Sequence, residues 1–293
     1  MLSDFRANKK DLTIYNIVVM QKGEIVAEHN WIEPKKQCQY SITKSITSIA
    51  AGMAIDDGIL SLEDNVADSF KDFKDINLEP YKKIKVKHLL SMSIGQENTA
   101  LMVDERDKTD PKRWLNYSFN QKIICEPGSR FQYTNTAPYI LGIMISKKAK
   151  MSLREYLNSR LFIPLDIINP PWEVDGYGNQ FGASGIELTT KELARFGQML
   201  LQKGEYKGKR IVSSKWVEEI SKPQIETGDK GDDYSHYGYY FWRSSYNSYR
   251  ADGKLGQLCI VIDDKDTVIA VNSNEESYHL ILKNIWEYIY PKL

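Results

Sequence analysis

Residues 39–58 read "QYSITKSITSIAAGMAIDDG". Ile42, Ile46, Ile49, Ala50, Met53 and Ala54 recur at i, i+4, i+7, i+8, i+11 and i+12, which is one apolar face of an α-helix. Gly58 is a stop signal for it. Ser41 stands at its start, and Lys44 follows three residues on, where i and i+3 side chains share a face. Two readings compete. Ser41 is an N-cap, a role serine fills well, or it is a nucleophile with Lys44 as its base. A serine hydroxyl needs a base within hydrogen-bond reach, and a lysine serves only when burial or nearby cations bring its pKa down. Ser-x-x-Lys alone is weak evidence, although Ser41 is the only serine in the chain with lysine at +3.

Outward from this helix, the flanking patterns set the fold class. Residues 14–31, "IYNIVVMQKGEIVAEHNW", carry two β-branched runs around Gln21-Lys22-Gly23, a hairpin. From about Ser61 to Phe181 strand-like alternation is scarce. Helical pieces at 86–92, 137–148 and 153–161 are joined by polar loops. After Phe181 the mixed pattern returns. Thr189 with Glu192 forms a capping box for a helix that closes at Gly204. Residues 237–242, "YGYYFW", read as a strand. Residues 256–273 read as a hairpin turning at 263–266, and residues 275–288 as an amphipathic helix. Strands at both ends and helices between predict an α+β fold, an antiparallel sheet flanked by helices with a mainly helical insertion subdomain. The expected division is 1–60 together with 182–293 as one α/β subdomain and 61–181 as the helical one. The active site is expected at their interface.

Bulk composition excludes several function classes. The chain has 293 residues with 42% apolar and 27% charged, an ordinary globular mixture. Its 39 basic and 39 acidic residues cancel, so nothing points to nucleic acid or an anionic membrane as partner. The run "KKIKVK" at 82–87 reads as a solvated face. Cys38, Cys125 and Cys259 are odd in number, far apart and without CxxC or CxxH spacing, so neither a disulfide framework nor a zinc site is expected. The first residues hold no apolar run resembling a signal peptide, and no stretch approaches a membrane span. The expectation is a cytoplasmic protein. His88 is expected to be structural, and no G-x-S-x-G elbow exists for a Ser-His-Asp triad.

Read with its neighbours, "YSITKSITSIAAGMAIDDGILSLEDNV" resembles the nucleophile segment of the serine β-lactamase and penicillin-binding-protein superfamily. It is most similar to the class C β-lactamase branch, with its esterase and amidase relatives. That branch adds a Tyr-x-Asn element and a Lys-Thr-Gly or His-x-Gly element on a late strand. Tyr-x-Asn occurs at Tyr133, Tyr156 and Tyr177. The first sits in "EPGSRFQYTNTAPYILGIMI", whose turn, extended piece and following helix resemble the family segment. The resemblance makes Tyr133 a base or proton shuttle and Asn135 a substrate-orienting group. The plain alternative is a loop tyrosine and a helix cap.

The third element departs from the pattern. Lys-Thr-Gly is absent, and the loose matches at His236 and Lys254 are misplaced. "YRADGKLGQLCIVID" is the better register, similar to esterase-like relatives and 6-aminohexanoate-dimer hydrolases. Ala251-Asp252-Gly253 then takes the place of Lys-Thr-Gly, with Ala251 and Gly253 lining the substrate. The backbone N–H groups of Ser41 and Lys254 would form the oxyanion hole. Ala251 cannot bind a substrate carboxylate as lysine or histidine would, so neutral esters or amides become the expected substrates. The resemblance implies a serine hydrolase forming an acyl-enzyme on Ser41, with no metal or organic cofactor and a small-molecule ester or amide as its partner. A true β-lactamase or DD-peptidase, and a catalytically silent relative used for binding or assembly, stay open.

Overall fold

A computed structural model describes residues 1–9 and 11–293. Its centre is an eight-stranded antiparallel sheet. In chain order the strands are β1 (Ile14–Gln21), β2 (Glu24–Asn30), β3 (Ile225–Glu226), β4 (His236–Tyr237), β5 (Trp242–Arg243), β6 (Tyr249–Gly253), β7 (Gln257–Ile262) and β8 (Thr267–Ser273). Across the sheet they run β2-β1-β8-β7-β6-β5-β4-β3. The first hairpin therefore pairs with the last one, Val18 facing Ala270 and Val19 facing Ile269. Between Asn30 and Ile225 the chain gives no strand to this sheet. The α+β class and the antiparallel sheet flanked by helices follow from this order.

Strand alternation sorts the side chains to two buried faces. Ile17, Val19, Leu258, Ile260, Ile262, Ile269 and Val271 face helices from the two chain ends, α1 (Leu2–Asn8) and α5 (Tyr278–Asn284). Val18, Met20, Ala251, Cys259, Val261, Val268 and Ala270 share the opposite core with α2 (Ile42–Asp56), α3 (Thr136–Ala149) and α4 (Thr190–Leu201). The continuous apolar run at 257–262 is the signature of a strand covered on both sides.

The helix that begins after Ser41 is more deeply placed than one apolar face requires. Every residue from Ile42 to Ala54 is buried. Three of its short polar side chains reach backbone carbonyls, while Ser48 Oγ is buried without a partner among the described residues. Thr43 Oγ1 donates to Tyr40 O, Ser45 Oγ to Tyr240 O and Thr47 Oγ1 to Gly182 O, at 2.7, 2.7 and 2.8 Å. At Gly52 the ring of Trp216 lies where a Cβ would be, 2.1 Å from Cδ1, so only glycine admits that contact.

Two elements differ from expectation. Residues 237–242 are not one strand. β4 and β5 are two-residue strands joined by a reversal in which Gly238 N donates to Phe241 O and Tyr240 takes φ 65°. The aromatic composition favours a strand, but this reversal is what turns the Tyr240 carbonyl towards Ser45. The last helix starts at Tyr278 rather than Glu275. Glu275 is engaged elsewhere, its N–H donating to Leu255 O and its carboxylate accepting from Thr13 N and Ser277 N.

Candidate active site

Ser41 occupies the N-cap position of α2, yet its side chain makes no capping bond. The hydroxyl is instead met by Lys44 Nζ at 2.9 Å. The preceding Tyr40 is held at φ 44°, a left-handed conformation costly for a non-glycine residue, which sharpens the turn that presents Ser41.

Lys44 is 1% exposed and, as the ammonium, spends its three donors on Ser41 Oγ, Asn135 Oδ1 (2.7 Å) and Ala183 O (2.9 Å). All three acceptors are uncharged, and among the described residues no carboxylate lies within ion-pair distance of it. A buried ammonium without a counter-ion favours loss of its proton. Burial first, and the positive charge of Arg106 second, hold Lys44 well below the usual lysine range.

Asn135 stands at the N-cap position of α3 but, like Ser41, makes no side-chain capping bond. Its Nδ2 donates to Leu101 O at 2.8 Å, which fixes the amide so that Oδ1 faces Lys44. The Tyr133 ring lies 4.9 Å from Lys44 Nζ and stacks on Trp242 at 6.0 Å. Burial pushes the Tyr133 phenol up from its ordinary value, with the Ser41 hydroxyl hydrogen bond pulling the other way and Asp252 adding to the rise. The rise keeps the Tyr133 phenol in its protonated form at neutral pH. Phe131, Tyr237 and Trp242 pack around it, at 6.4, 6.2 and 6.0 Å between ring centres.

The third element lies along the free edge of β6. Pairing of β6 with β5 stops at Arg250, so the outer edge of residues 251–254 carries no strand. Ala251 is fully buried against the α2 side. Gly253 has ordinary extended backbone, φ −133°, but a Cβ there would come within 2.3 Å of Gln39 O. This close approach draws the β6 edge against the turn that carries Ser41. Among the described residues, no backbone carbonyl in a turn or loop accepts from the N–H of Ser41 or of Lys254. Arg250 is fully buried and does not reach out as a cation. It donates to Asp252 Oδ2 (3.0 Å), Asp233 O (2.7 Å) and Ser244 Oγ. The Lys254 side chain is exposed.

The other Tyr-x-Asn copies are engaged elsewhere. Tyr156 Oη donates to Asp57 Oδ2 at 2.8 Å, and Asn179 binds Asp175 while Tyr177 is 73% exposed. His88 Nδ1 accepts from Lys85 N at 3.1 Å, a helix-start bond. Sequence reading missed Arg106, Glu173 and the Ala183 carbonyl, none of which belongs to a short motif, whereas Trp242 was legible as one of the aromatics of residues 237–242 that could line a cleft. A cavity of about 690 Å³ in the helical region, lined by Phe73, Ile76, Leu115, Ile143 and Tyr177 among others, does not include Ser41. No described helix is long and apolar enough to cross a membrane.

A serine at a helix start, bonded to a buried lysine and beside a Tyr-x-Asn segment and a free strand edge, defines the serine β-lactamase and penicillin-binding class of α+β proteins. A family model described as Beta-lactamase matches residues 17–288, and the chain belongs to that family. It is 23% identical over 237 residues to the 6-aminohexanoate-dimer hydrolase of Paenarthrobacter ureafaciens, covering 75% of this chain and 60% of that protein. The chain thus spans less than two thirds of that relative's length. The fold is also that of a penicillin-binding protein homologue from Pyrococcus abyssi, described as octameric (TM-score 0.76, 21% identity, 96% of this chain and 75% of that one). EstCE1, described as a hydrolase with promiscuous acyltransferase activity, matches with TM-score 0.75 and 14% identity over 97% and 96% of the two chains.

Proposed function

We propose that this protein is a serine hydrolase that cleaves a small ester or amide through an acyl-enzyme on Ser41. The single observation that carries the proposal is the 2.9 Å hydrogen bond between Lys44 Nζ and Ser41 Oγ, in a lysine that has no acidic partner among the described residues. In the proposed cycle the neutral Lys44 amine keeps its two N–H groups on Asn135 Oδ1 and Ala183 O and turns its lone pair to the Ser41 hydroxyl, so that Ser41 Oγ attacks the substrate carbonyl as its proton passes to Lys44. The oxygen that gains charge is held by the N–H groups of Ser41 and Lys254. Tyr133 carries the proton on to the leaving group, and the carbonyl re-forms as the acyl-enzyme. Water then attacks that ester with the same groups working in reverse, releasing the acid and restoring Ser41. Asn135 holds Lys44 in place and orients the substrate amide. The substrate lies along the edge of β6 where it opens at Lys254, with Gly253 and the buried Ala251 shaping that edge from behind.

Neutral substrates fit better than penicillins or D-Ala-D-Ala peptides. The third element offers Ala251 and Asp252 where a carboxylate-binding group would stand, and Arg250 is neutralised by its bond to Asp252. The relative named as a 6-aminohexanoate-dimer hydrolase supports amide cleavage within the same family. The proposal includes two lobes, residues 1–60 with 182–293 and residues 61–181, meeting at Ser41. It also includes a cytoplasmic setting, which three free thiols suit.

The test is intact mass after treatment with a p-nitrophenyl ester and, separately, a chromogenic cephalosporin. An acyl adduct on wild type and not on Ser41→Ala is the expected result. Cephalosporin turnover would favour a true β-lactamase. No adduct from any acyl donor would leave a catalytically silent binding relative.

A further inference from the structure

Behind Lys44 lies a second layer that the motifs do not include. The Leu101 carbonyl accepts two bonds, from Asn135 Nδ2 and from Arg106 Nη1, both at 2.8 Å. Leu101 itself sits at φ 55°, so its carbonyl direction is held by these partners against a disfavoured backbone. Arg106 is 8% exposed and forks onto Glu173, Nε to Oε1 at 3.0 Å and Nη2 to Oε2 at 3.3 Å. Its guanidinium also lies 4.5 Å from the Phe181 ring centre. Glu173 touches the other support of Lys44 too. Its backbone N–H donates to Gly185 O, and Gly185 admits the Glu173 side chain so closely that a Cβ would come within 2.3 Å of it. Gly185 is two residues from Ala183, whose carbonyl binds Lys44. One ion pair, with Arg106 buried and Glu173 half-buried, thus stands behind Asn135 and Ala183, the two fixed supports of the lysine.

We propose that Arg106 and Glu173 are positioning residues for the Ser41–Lys44 pair: Arg106 fixes the carbonyl that aims Asn135 at Lys44, and the pair sets the charge state of the lysine. The proposal rests on the serine-hydrolase reading. The charged or titratable groups near Lys44 are Tyr133, across whose ring it lies, and Arg106 behind Asn135, with Glu173 as the counter-ion of Arg106. Arg106 disfavours a second positive charge, and Glu173 offsets part of that effect. The two residues therefore act on Lys44 with opposite sign, which a purely structural role would not produce.

The experiment follows the Lys44 side-chain titration by NMR in lysine-labelled protein, assigned by the signal lost in Lys44→Met, alongside the pH profile of Ser41 acylation. Arg106→Met should move the Lys44 midpoint and the acidic limb of acylation up by about one pH unit. Glu173→Gln should move both down. Arg106→Lys keeps the charge but not the fork, so its limb should stay near wild type while the acylation rate falls roughly tenfold at every pH. If Arg106→Met fails to fold, Glu173→Gln carries the test alone. No movement, movement in only one of two folded variants, or movement of both in one direction overturns the proposal. If no acyl donor labels Ser41, the hydrolase reading fails, and the NMR midpoints still decide the role of the ion pair.

Discussion

Gly253 lies so close to the carbonyl of Gln39 that a Cβ added to it would stop 2.3 Å from the oxygen. The contact joins the edge of β6 to the turn two residues before Ser41, and so holds near each other the two N–H groups proposed for the oxyanion hole. Gly253→Ala should therefore cost about 1–3 kcal/mol of stability from overpacking. The larger effect should fall on acylation, by roughly 10²- to 10³-fold, as expected when an oxyanion donor is displaced. Denaturant melts and single-turnover rates separate the two effects. Acylation at the wild-type rate would remove the Lys254 amide from the proposed site.

Ser41→Ala removes the nucleophile without breaking a helix cap, because the hydroxyl makes no capping bond. Activity should fall by roughly 10⁴-fold or more, while the thermal midpoint changes little. A large drop in Tm would instead show that the hydroxyl is structural.

Tyr133→Phe keeps the ring against Trp242 and removes only the hydroxyl. Steady-state turnover should fall by about 10²- to 10⁴-fold, the range of a lost proton-transfer group. Acyl-enzyme should accumulate if water attack suffers more than acylation, which intact-mass time courses would reveal. Unchanged turnover would remove Tyr133 from the proton path.

Lys44 makes stability depend on pH with a definite sign. Its folded pKa is depressed by burial and then by Arg106. Between that value and the ordinary lysine pKa, the unfolded chain holds a proton that the folded chain lacks, so stability rises with pH. Below the folded pKa both states hold it and the dependence disappears. Relative to Lys44→Met, wild type should gain up to about 1.4 kcal/mol per pH unit within this window. Urea melts of both proteins from pH 6 to 10 measure it. A flat difference would mean that Lys44 titrates as an ordinary surface lysine.

Local pattern carried much of the fold. The period of residues 42–54 placed α2, the Lys22-Gly23 turn placed the first hairpin, and Thr189 with Glu192 placed the capping box, whose reciprocal bonds are 3.2 and 2.8 Å. Composition misled at 237–242, where aromatic residues suited to a strand are folded into a reversal to bring Tyr240 O to Ser45. In the site, residues bound to a short motif were legible. Arg106 and Glu173 were not, because they meet across 67 positions and act through a backbone carbonyl. Backbone acceptors such as Ala183 O leave no mark on residue type, since any amino acid supplies one.

The strand order has a consequence for when the chain becomes reactive. Ser41 and its helix are synthesised early, but β1 finds its inner neighbour only in β8, and the proposed second amide donor arrives with the turn between β6 and β7. Such long-range closure is slow and comes after local helix formation. A nascent chain therefore carries an exposed serine and an ordinary, solvated lysine, with neither burial to strip the lysine of its proton nor a strand edge to receive a substrate. The topology therefore makes the proposed site complete only when the hairpin of β7 and β8 has locked into the middle of the sheet.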